Sequence, residues 1–321
     1  MASPPSRWLV LATSAVLVVI WGTTWSAIRL TLDGFAPFTS IAFRFALACL
    51  VLAAMARWAG ARFWPRSPRE WAIVSTQGIL AYGVSYGFVY WAEQVVPSGL
   101  VALLFATMPL WVVLFAYGIL PEERLGKFGV LGLLLGFVGL GVIFSDDIET
   151  FGGPEGLVAA ALVLFSPVSA AVVQVVVKRW GKGLGAYGLT VTPLALAALV
   201  MTLLALVFEH DQPIDPAPVP VLALLYLAVL GTALTFGLYY WLLEFVSATH
   251  LSLITYLTPV VAVAIGTTWF DEPLTPRIVI GALCVLGGVG LVIGPFRSSG
   301  KKPPSADDAA SVGETSNQAE P

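Results

Sequence analysis

Two apolar stretches of this chain repeat each other, and the repeat limits the folds that the chain can adopt. Residues 86–109 and 236–259 are related by a shift of 150 positions. A duplicated apolar unit with a proline at the same place in each copy is typical of membrane transporters. The matched pairs are Gly87 with Gly237, Tyr90 with Tyr240, Trp91 with Trp241, Val96 with Val246, Leu103 with Leu253 and Pro109 with Pro259.

Apolar runs near the length of a membrane span recur along the whole chain. The sequence is 58% hydrophobic and 11% charged, whereas soluble domains average about 25% charged residues. About 20 residues of helix cross the hydrocarbon core of a bilayer. We therefore predict an all-α polytopic membrane protein with ten transmembrane helices, at 8–30, 38–58, 69–92, 98–118, 127–144, 155–177, 186–208, 218–241, 248–270 and 275–294.

Basic residues fall on one side of these ten spans. Thirteen of the 16 Lys and Arg residues lie on the side of the N-terminus, and only Arg277 lies in a loop on the other side. Because Lys and Arg are enriched in cytoplasmic loops, both termini are predicted to be cytoplasmic. The thirteen are Arg7, Arg57, Arg62, Arg66, Arg69, Arg124, Lys127, Lys178, Arg179, Lys182, Arg297, Lys301 and Lys302.

Ten spans with a repeat imply two units of five helices each. An odd number of spans makes the second unit enter from the opposite side, so the repeat is inverted. We predict a short cytoplasmic N-terminus (1–7), a first repeat (8–144), a second repeat (155–294) and a disordered cytoplasmic tail (295–321). The tail is rich in Ser, Pro, Ala, Asp and Lys and lacks large apolar residues.

Several polar and kinking residues lie inside the predicted spans. Pro109 and Pro259 occupy the middle of spans 4 and 9, where each is expected to act as a hinge or a kink facing the substrate. The alternative is that proline is simply common in membrane helices. In span 1, Trp21, Gly22 and Thr24 belong to a Trp-Gly-Thr-Thr-Trp stretch that either faces a cavity or packs against neighbours.

Aromatic residues form a stripe on spans 3 and 8. Tyrosines recur every four residues in span 3, so they share one helical face. A lining of apolar and hydroxyl groups suits amphipathic organic solutes, although such a stripe is also common in helix cores. The stripe comprises Tyr82, Tyr86, Tyr90 and Trp91 in span 3 and Tyr240 and Trp241 in span 8.

Three charged residues are candidates for gating or proton coupling. Arg44 lies about 9 Å inside span 2 at 1.5 Å per residue, so it either extends outward to the interface or faces the bundle. Glu93 ends span 3 on the same side and is a candidate partner of Arg44. Glu244 lies near the opposite end of span 8. In the alternative interpretation, both carboxylates lie in headgroup water.

Spans 5 and 10 are rich in glycine and lack polar cavity groups. Small residues spaced four apart allow close helix packing. These spans are predicted to be scaffold helices or contacts of a homodimer rather than part of the pathway.

In these motifs the chain resembles the EamA-type transporters of the drug/metabolite transporter superfamily. The resemblance covers residues 8–294 and rests on Trp21-Gly22-Thr23, Arg44-Phe45, Tyr90-Trp91-Ala92-Glu93, Glu123-Arg124-Leu125 and Glu272-Pro273-Leu274. It implies ten helices in two inverted repeats, cytoplasmic termini and a cavity formed by spans 1–4 and 6–9. It also implies export or exchange of amino acids, related metabolites or drugs. Ser166-Pro167 replaces the Trp-Gly pair of span 1 in the second copy.

The expected function is therefore secondary active transport by alternating access. The few fixed charges predict neutral, zwitterionic or amphipathic small-molecule substrates, with the proton as the hypothesised coupling ion. A passive channel is the main alternative, but no filter or ring of charges is evident. A membrane enzyme is a remote alternative, since the sequence contains no recognisable metal, nucleotide or nucleophile motif. No cofactor, metal or nucleic acid is expected, and the expected location is a plasma membrane of the bacterial inner-membrane type.

Overall fold

The structure is a computed structural model that describes residues 5–96, 98–123, 125–143, 145, 153–269 and 275–293. Every regular element in these ranges is helical. The predicted tail, 295–321, lies outside the described residues.

The first half of the chain contains five helices. Helices α1 (Arg7–Leu32) and α2 (Pro37–Trp58) are continuous, and α3 (Pro68–Ala92) contains a π-helical segment. Helix α4 has two segments, Ser98–Phe105 and Met108–Ile119, which Ala106 and Thr107 separate. The 3₁₀ turn Pro121–Glu123 leads to α5 (Lys127–Ile143).

The second half also contains five helices. Helix α6 has the segments Gly153–Val163 and Phe165–Trp180, and a short turn, Gly185–Gly188, precedes the main part of α7, Val191–Phe208. Helix α8 (Pro218–Phe245) is continuous. Helix α9 has the segments Ala248–Ser252 and Ile254–Trp269, and α10 spans Pro276–Ile293.

Local sequence accounts for several helix starts. The Ser6 Oγ accepts a hydrogen bond from the Leu9 amide at 3.3 Å at the start of α1. The Ser67 Oγ accepts one from the Glu70 amide at 3.2 Å at the start of α3. These side chains satisfy amides that the first helical turn leaves without a backbone partner. Pro37 begins α2, where a missing backbone N–H costs nothing.

The helices match the predicted membrane spans. Seven of the described helices are long and apolar enough to cross a membrane, and shorter apolar helices occupy the other three predicted spans. The three shorter ones belong to α5, α9 and α10. The all-α class and the organisation in ten helices are confirmed.

The two halves also share a backbone irregularity. Helix α3 is π-helical over Gln77–Val84, and α8 is π-helical over Val229–Leu234. Val84 and Leu234 are separated by the same 150 positions as the sequence repeat. A π-helical segment widens the helix and occurs often at functional sites. The irregularity is thus part of the duplicated unit.

Helix packing follows a pseudo-two-fold pattern. Each of two helices packs along its own counterpart: α2 along α7, and α5 along α10. The other contacts occur in related pairs, since α1 packs on α8 and α9 while α6 packs on α3 and α4. This exchange of partners is what an inverted repeat of five helices produces.

Glycines allow α5 and α10 to pack closely. A Cβ atom at Gly132 would lie 2.5 Å from the Gly288 carbonyl oxygen, and one at Gly139 would lie 2.6 Å from that of Gly281. These glycines therefore form the contact between two helices of the same chain, as expected for scaffold helices. The homodimer stays a prediction.

Candidate functional site

A central cavity of about 130 Å³ lies where the two repeats meet. Helices α1, α2, α3, α4, α6, α8 and α9 supply its lining, and the described residues that line it include none from α5, α7 or α10. Both repeats therefore form the same cavity, and the scaffold pair α5 and α10 lies outside it.

Aromatic rings form much of the cavity wall. The rings of Tyr82 and Phe236 are stacked with centroids 4.9 Å apart. The ring centroids of Trp21 and Tyr239 lie 5.3 Å apart. The Trp21 indole N–H donates to Thr235 Oγ1 at 3.0 Å. Such a wall presents apolar area together with hydroxyl groups, which suits an organic solute.

Among the described residues that line this aromatic cavity, one is a cation. Arg44 is 1% exposed and lies within the bundle rather than extending to the interface. Its Nε donates to Thr232 Oγ1 at 2.8 Å, and its Nη1 donates to the Tyr90 hydroxyl at 2.9 Å. Its Nη2 donates to the Gly231 carbonyl at 3.3 Å. Since Gly231 and Thr232 belong to the π-helical segment of α8, Arg44 links α2 of one repeat to α8 of the other.

Six of the predicted site residues line the cavity, and four predicted cavity residues, Gly22, Trp91, Trp241 and Tyr90, do not. Gly22 instead packs α1 against α9, since a Cβ there would lie 3.1 Å from the Thr258 carbonyl oxygen. Trp91 is 39% exposed and lies in a separate apolar groove on the outside of the bundle. Trp241 packs against Phe245, with their ring centroids 5.5 Å apart. The six lining residues are Trp21, Thr24, Arg44, Tyr82, Tyr86 and Tyr240.

Tyr90 also departs from the prediction of a cavity contact. It is fully buried, and its hydroxyl accepts the hydrogen bond from Arg44. Tyr90 therefore lies behind the cavity wall and holds Arg44 in place.

The two repeat-related prolines have different local structures. Pro109 lies in the first turn of the second segment of α4, where it interrupts no helix hydrogen bond. Pro259 lies inside a helix, where it leaves the Thr255 carbonyl without its usual donor. The Thr258 hydroxyl donates to that carbonyl at 3.2 Å. Of the two prolines, only Pro259 therefore removes a hydrogen bond from a helix interior, and the interruption in α4 is at Ala106 and Thr107.

Arg44 and Glu93, the predicted partners, form neither an ion pair nor a hydrogen bond with each other in the structure. Glu93 is 1% exposed, and neither of its carboxylate oxygens has a hydrogen-bond partner among the described residues. Arg29 donates instead to the Glu93 backbone carbonyl at 2.6 Å. Glu244 is exposed near Lys178, so Glu93 and Glu244 do not have matching environments.

Polar contacts tie helices together at both ends of the bundle. At the end that holds Glu93, the Glu209 carboxylate accepts hydrogen bonds from the Phe38 and Thr39 amides, each at 2.8 Å. At the opposite end, the Lys178 ammonium donates to the Leu243 and Val246 carbonyls at 2.6 and 2.7 Å. These contacts join α7 to α2 and α6 to α8.

An acidic residue lies close to the Lys178 end. Glu123 accepts a hydrogen bond from the Thr249 amide at 3.4 Å. Partial burial raises the pKa of the Glu123 carboxyl, while the bond from Thr249 and the charge of Lys178 act in the opposite direction.

Several cavity residues were missed in the sequence interpretation. Gln174 and Ser85 line the cavity, and both are buried. The Gln174 amide donates to the Ala248 carbonyl at 2.7 Å. A signal was present, since an amide side chain inside an apolar span needs a partner. Phe236, which also lines the cavity, and Thr232, which accepts a hydrogen bond from Arg44, carried no such signal, because isolated Phe and Thr are ordinary in apolar helices.

The donor chemistry of a metal site is not assembled in the described part of the chain. No group of three or more His, Cys, Asp or Glu side chains lies close enough to hold a metal ion among those residues. What is assembled is an aromatic cavity with hydroxyl groups and one cation.

Three known proteins are similar to this chain over most of its length, and two of them are transporters by name. The uncharacterized inner membrane transporter YedA of Escherichia coli K12 is 29% identical over 262 residues, which cover 81% of this chain and 82% of YedA. The uncharacterized transporter YoaV of Bacillus subtilis is 24% identical over 276 residues, covering 85% of this chain and 92% of YoaV. Protein PecM of Dickeya dadantii is 28% identical over 216 residues, covering 67% and 71% of the two chains.

A solved crystal structure shares the fold. It aligns with a TM-score of 0.76 at 22% identity and covers 89% of this chain and 96% of its own. The sequence pattern of the EamA-like transporter family matches this chain twice, at residues 7–145 and 157–294. The two matches fall on the two halves that the repeat relates. The chain therefore belongs to the EamA-like transporter family.

Proposed function

We propose that this protein is a secondary active transporter that moves small organic metabolites or amphipathic compounds by alternating access. The cavity shared by both repeats is the observation that carries this proposal. A solute held between two inverted halves can be exposed to either side when the halves exchange conformations. Export or exchange is the expected mode, and the solute is expected to be an amino acid or a related compound.

Counterflow in proteoliposomes tests this proposal. Vesicles containing the purified protein are loaded with one unlabelled solute from a panel of amino acids and amphipathic drugs, and uptake of the labelled solute is followed. A carrier accumulates label transiently above the outside concentration, because the internal solute drives the exchange. A passive channel equilibrates the label without accumulation, and this result, or no transport of any member of the panel, would contradict the proposal.

We propose proton coupling through Glu93. Its buried carboxylate lies near Arg29 and Arg44, and it has no hydrogen-bond partner among the described residues. A buried carboxyl of this kind can exchange a proton when the halves move. In the same vesicles, Glu93→Gln is expected to abolish the dependence of uptake on a proton gradient. The exposed Glu244→Gln serves as the control. Unchanged proton dependence in Glu93→Gln would exclude this role.

We propose that the protein lies in a bacterial inner membrane with both termini in the cytoplasm. The support is the strong excess of Lys and Arg on the side of the N-terminus. The name of the relative YedA is consistent with this location. A fluorescent protein fused after Pro321 should fold and fluoresce, whereas alkaline phosphatase fused there should be inactive. The reverse result would place the C-terminus outside.

A further inference from the structure

Arg44 is a buried cation whose bonded partners are all neutral. They are a threonine hydroxyl, a tyrosine hydroxyl and a backbone carbonyl. The ring of Tyr86 lies below the guanidinium, 5.0 Å from its carbon. A guanidinium carries five N–H groups, and these bonds use three of them. Two N–H groups therefore remain for a further acceptor at the cavity.

The charge of Arg44 is not balanced by a bonded carboxylate. The ion pairs recorded among the described residues, Arg62 with Glu70 and His210 with Asp211, do not include Arg44. Glu93 is the carboxylate whose charge acts on Arg44, and Arg29 acts on the same carboxylate. The charge of Glu93 thus acts on two guanidinium groups, but its carboxylate forms a hydrogen bond with neither.

The second repeat shows that the fold does not need a cation at this place. The shift is 145 positions between Trp21 and Ser166 and 150 positions between spans 3 and 8, so the counterpart of Arg44 in the second repeat lies within residues 189–194, none of which is charged. Helices α2 and α7 pack along each other as counterparts. A charged side chain at the centre of a span costs about 2.5–3.5 kcal/mol on insertion scales. Only the first repeat places a charge here and bears this free-energy cost. The charge of Arg44 therefore indicates a role in function rather than in packing.

We propose that Arg44 binds the carboxylate of the transported solute, an inference that rests on the proposed transport function. The two remaining N–H groups can hold a carboxylate in the bidentate geometry that arginine favours. The aromatic wall formed by Trp21, Tyr82 and Phe236 then holds the apolar part of the solute. The substrate class is organic compounds with one carboxylate, including free amino acids, because Arg44 is the one charged side chain among the described residues that line the cavity.

Binding of matched acids and amides to the wild-type protein tests this proposal without any mutation. The probes are hydrophobic amino acids, their amides, and the corresponding acids without the amino group, for example L-phenylalanine, L-phenylalaninamide and 3-phenylpropionate. Binding to purified protein in detergent is followed by tryptophan fluorescence, since Trp21 and Trp25 line the cavity. The best acid should bind about tenfold or more tightly than its amide. Equal binding of acid and amide, or saturable binding by none of the acids, would overturn the proposal.

Substitutions at Arg44 provide the second test. In Arg44→Gln the preference for acid over amide should fall to about one, and Arg44→Lys should retain part of it because it keeps the charge. The control is Arg57→Gln, an exposed arginine outside the cavity lining. An unchanged preference in Arg44→Gln would overturn the proposal. Arg44→Lys preserves the cation. Acid binding that persists in Arg44→Lys but not in Arg44→Gln shows that Arg44→Gln has lost recognition of the carboxylate and not its fold.

The binding and transport readouts distinguish the two proposals. If acids bind through Arg44 but no solute shows counterflow, the proposed transport function fails and the carboxylate site stands. If acids and amides show equal counterflow, transport stands and the carboxylate site fails.

Discussion

At the scale of single residues, Arg44 is the most informative side chain of this site. It is a permanently charged group in the interior of a membrane bundle, bonded to neutral oxygens of the opposite repeat. Tyr90 and Tyr86 contact it in different ways. The Tyr90 hydroxyl accepts a hydrogen bond from it, while Tyr86 presents the face of its ring. The two tyrosines therefore form a matched pair for mutation.

Tyr90→Phe is predicted to destabilise the protein more than Tyr86→Phe. The first change removes an acceptor from a buried charged donor, which costs about 1.5–3 kcal/mol. The second keeps the ring that lies 5.0 Å from the guanidinium carbon, so its cost should stay below about 0.5 kcal/mol. The measurement is the thermal unfolding midpoint of both variants in the same detergent. Equal shifts would show that the bond between Arg44 and Tyr90 does not hold the guanidinium.

The sequence predicted which residue types form the site better than it predicted where each side chain points. Trp91 shows the reason. In a membrane helix both the lipid-facing and the buried surfaces are apolar, so an aromatic residue is compatible with either. Trp91 lies on the outside, while Tyr86, five residues earlier, lines the cavity. Polar side chains such as Arg44 and Gln174 were more informative, because in lipid they need partners inside the bundle.

At the scale of helices, the ten spans could be predicted because length and apolar composition are strong signals in a membrane protein. The π-helical segments of α3 and α8 could not, since the glycines that both contain are frequent along the whole chain and do not mark these two places. The interruption of α4 at Ala106 and Thr107 was expected at Pro109 instead. Proline removes a helix hydrogen bond, but packing decides where the helix is interrupted.

The contact between α5 and α10 gives the clearest prediction for an element. A Cβ atom at Gly288 would lie 2.4 Å from the Gly132 carbonyl oxygen, while one at Gly290 would meet nothing within 4 Å. Gly288→Ala should therefore force the two backbones apart and lower stability by about 1–3 kcal/mol. Gly290→Ala should be neutral or stabilising by up to about 1 kcal/mol, because alanine favours the helix.

Thermal unfolding of the two glycine variants in detergent provides the measurement. Both changes add the same methyl group to the same helix, so a difference between them reports the contact alone. Equal unfolding temperatures for Gly288→Ala and Gly290→Ala would contradict the close packing of α5 on α10.

At the scale of the whole molecule, the two inverted repeats together form the cavity. Helices α5 and α10 pack on each other outside the cavity, and the other helices surround it with exchanged partners. Lys178 and Glu209 join different helices at opposite ends of the bundle. If the halves move around the cavity, contacts of this kind open at one end while those at the other end close.

Pro259 is the proposed hinge of this motion. Pro259→Ala restores a backbone donor inside α9, which should stiffen the helix. We expect it to slow the exchange between outward-open and inward-open states, measured as a slower counterflow rate. Pro109→Ala is the control, because Pro109 lies in a first turn and interrupts no helix hydrogen bond. Equal rates for both variants and the wild type would exclude Pro259 as a hinge.

Accessibility of one cavity residue from both sides of the membrane tests alternating access most directly. Ala170 lines the cavity, so Ala170→Cys is made in a background where Cys49 and Cys284 are replaced by alanine. Leu283→Cys is the control, since Leu283 is 65% exposed on the outer face of the apolar helix α10. A membrane-impermeant maleimide is added to vesicles of either orientation. Alternating access predicts labelling of Ala170→Cys from each side and of Leu283→Cys from neither, whereas labelling of Ala170→Cys from only one side, with and without solute, would contradict it.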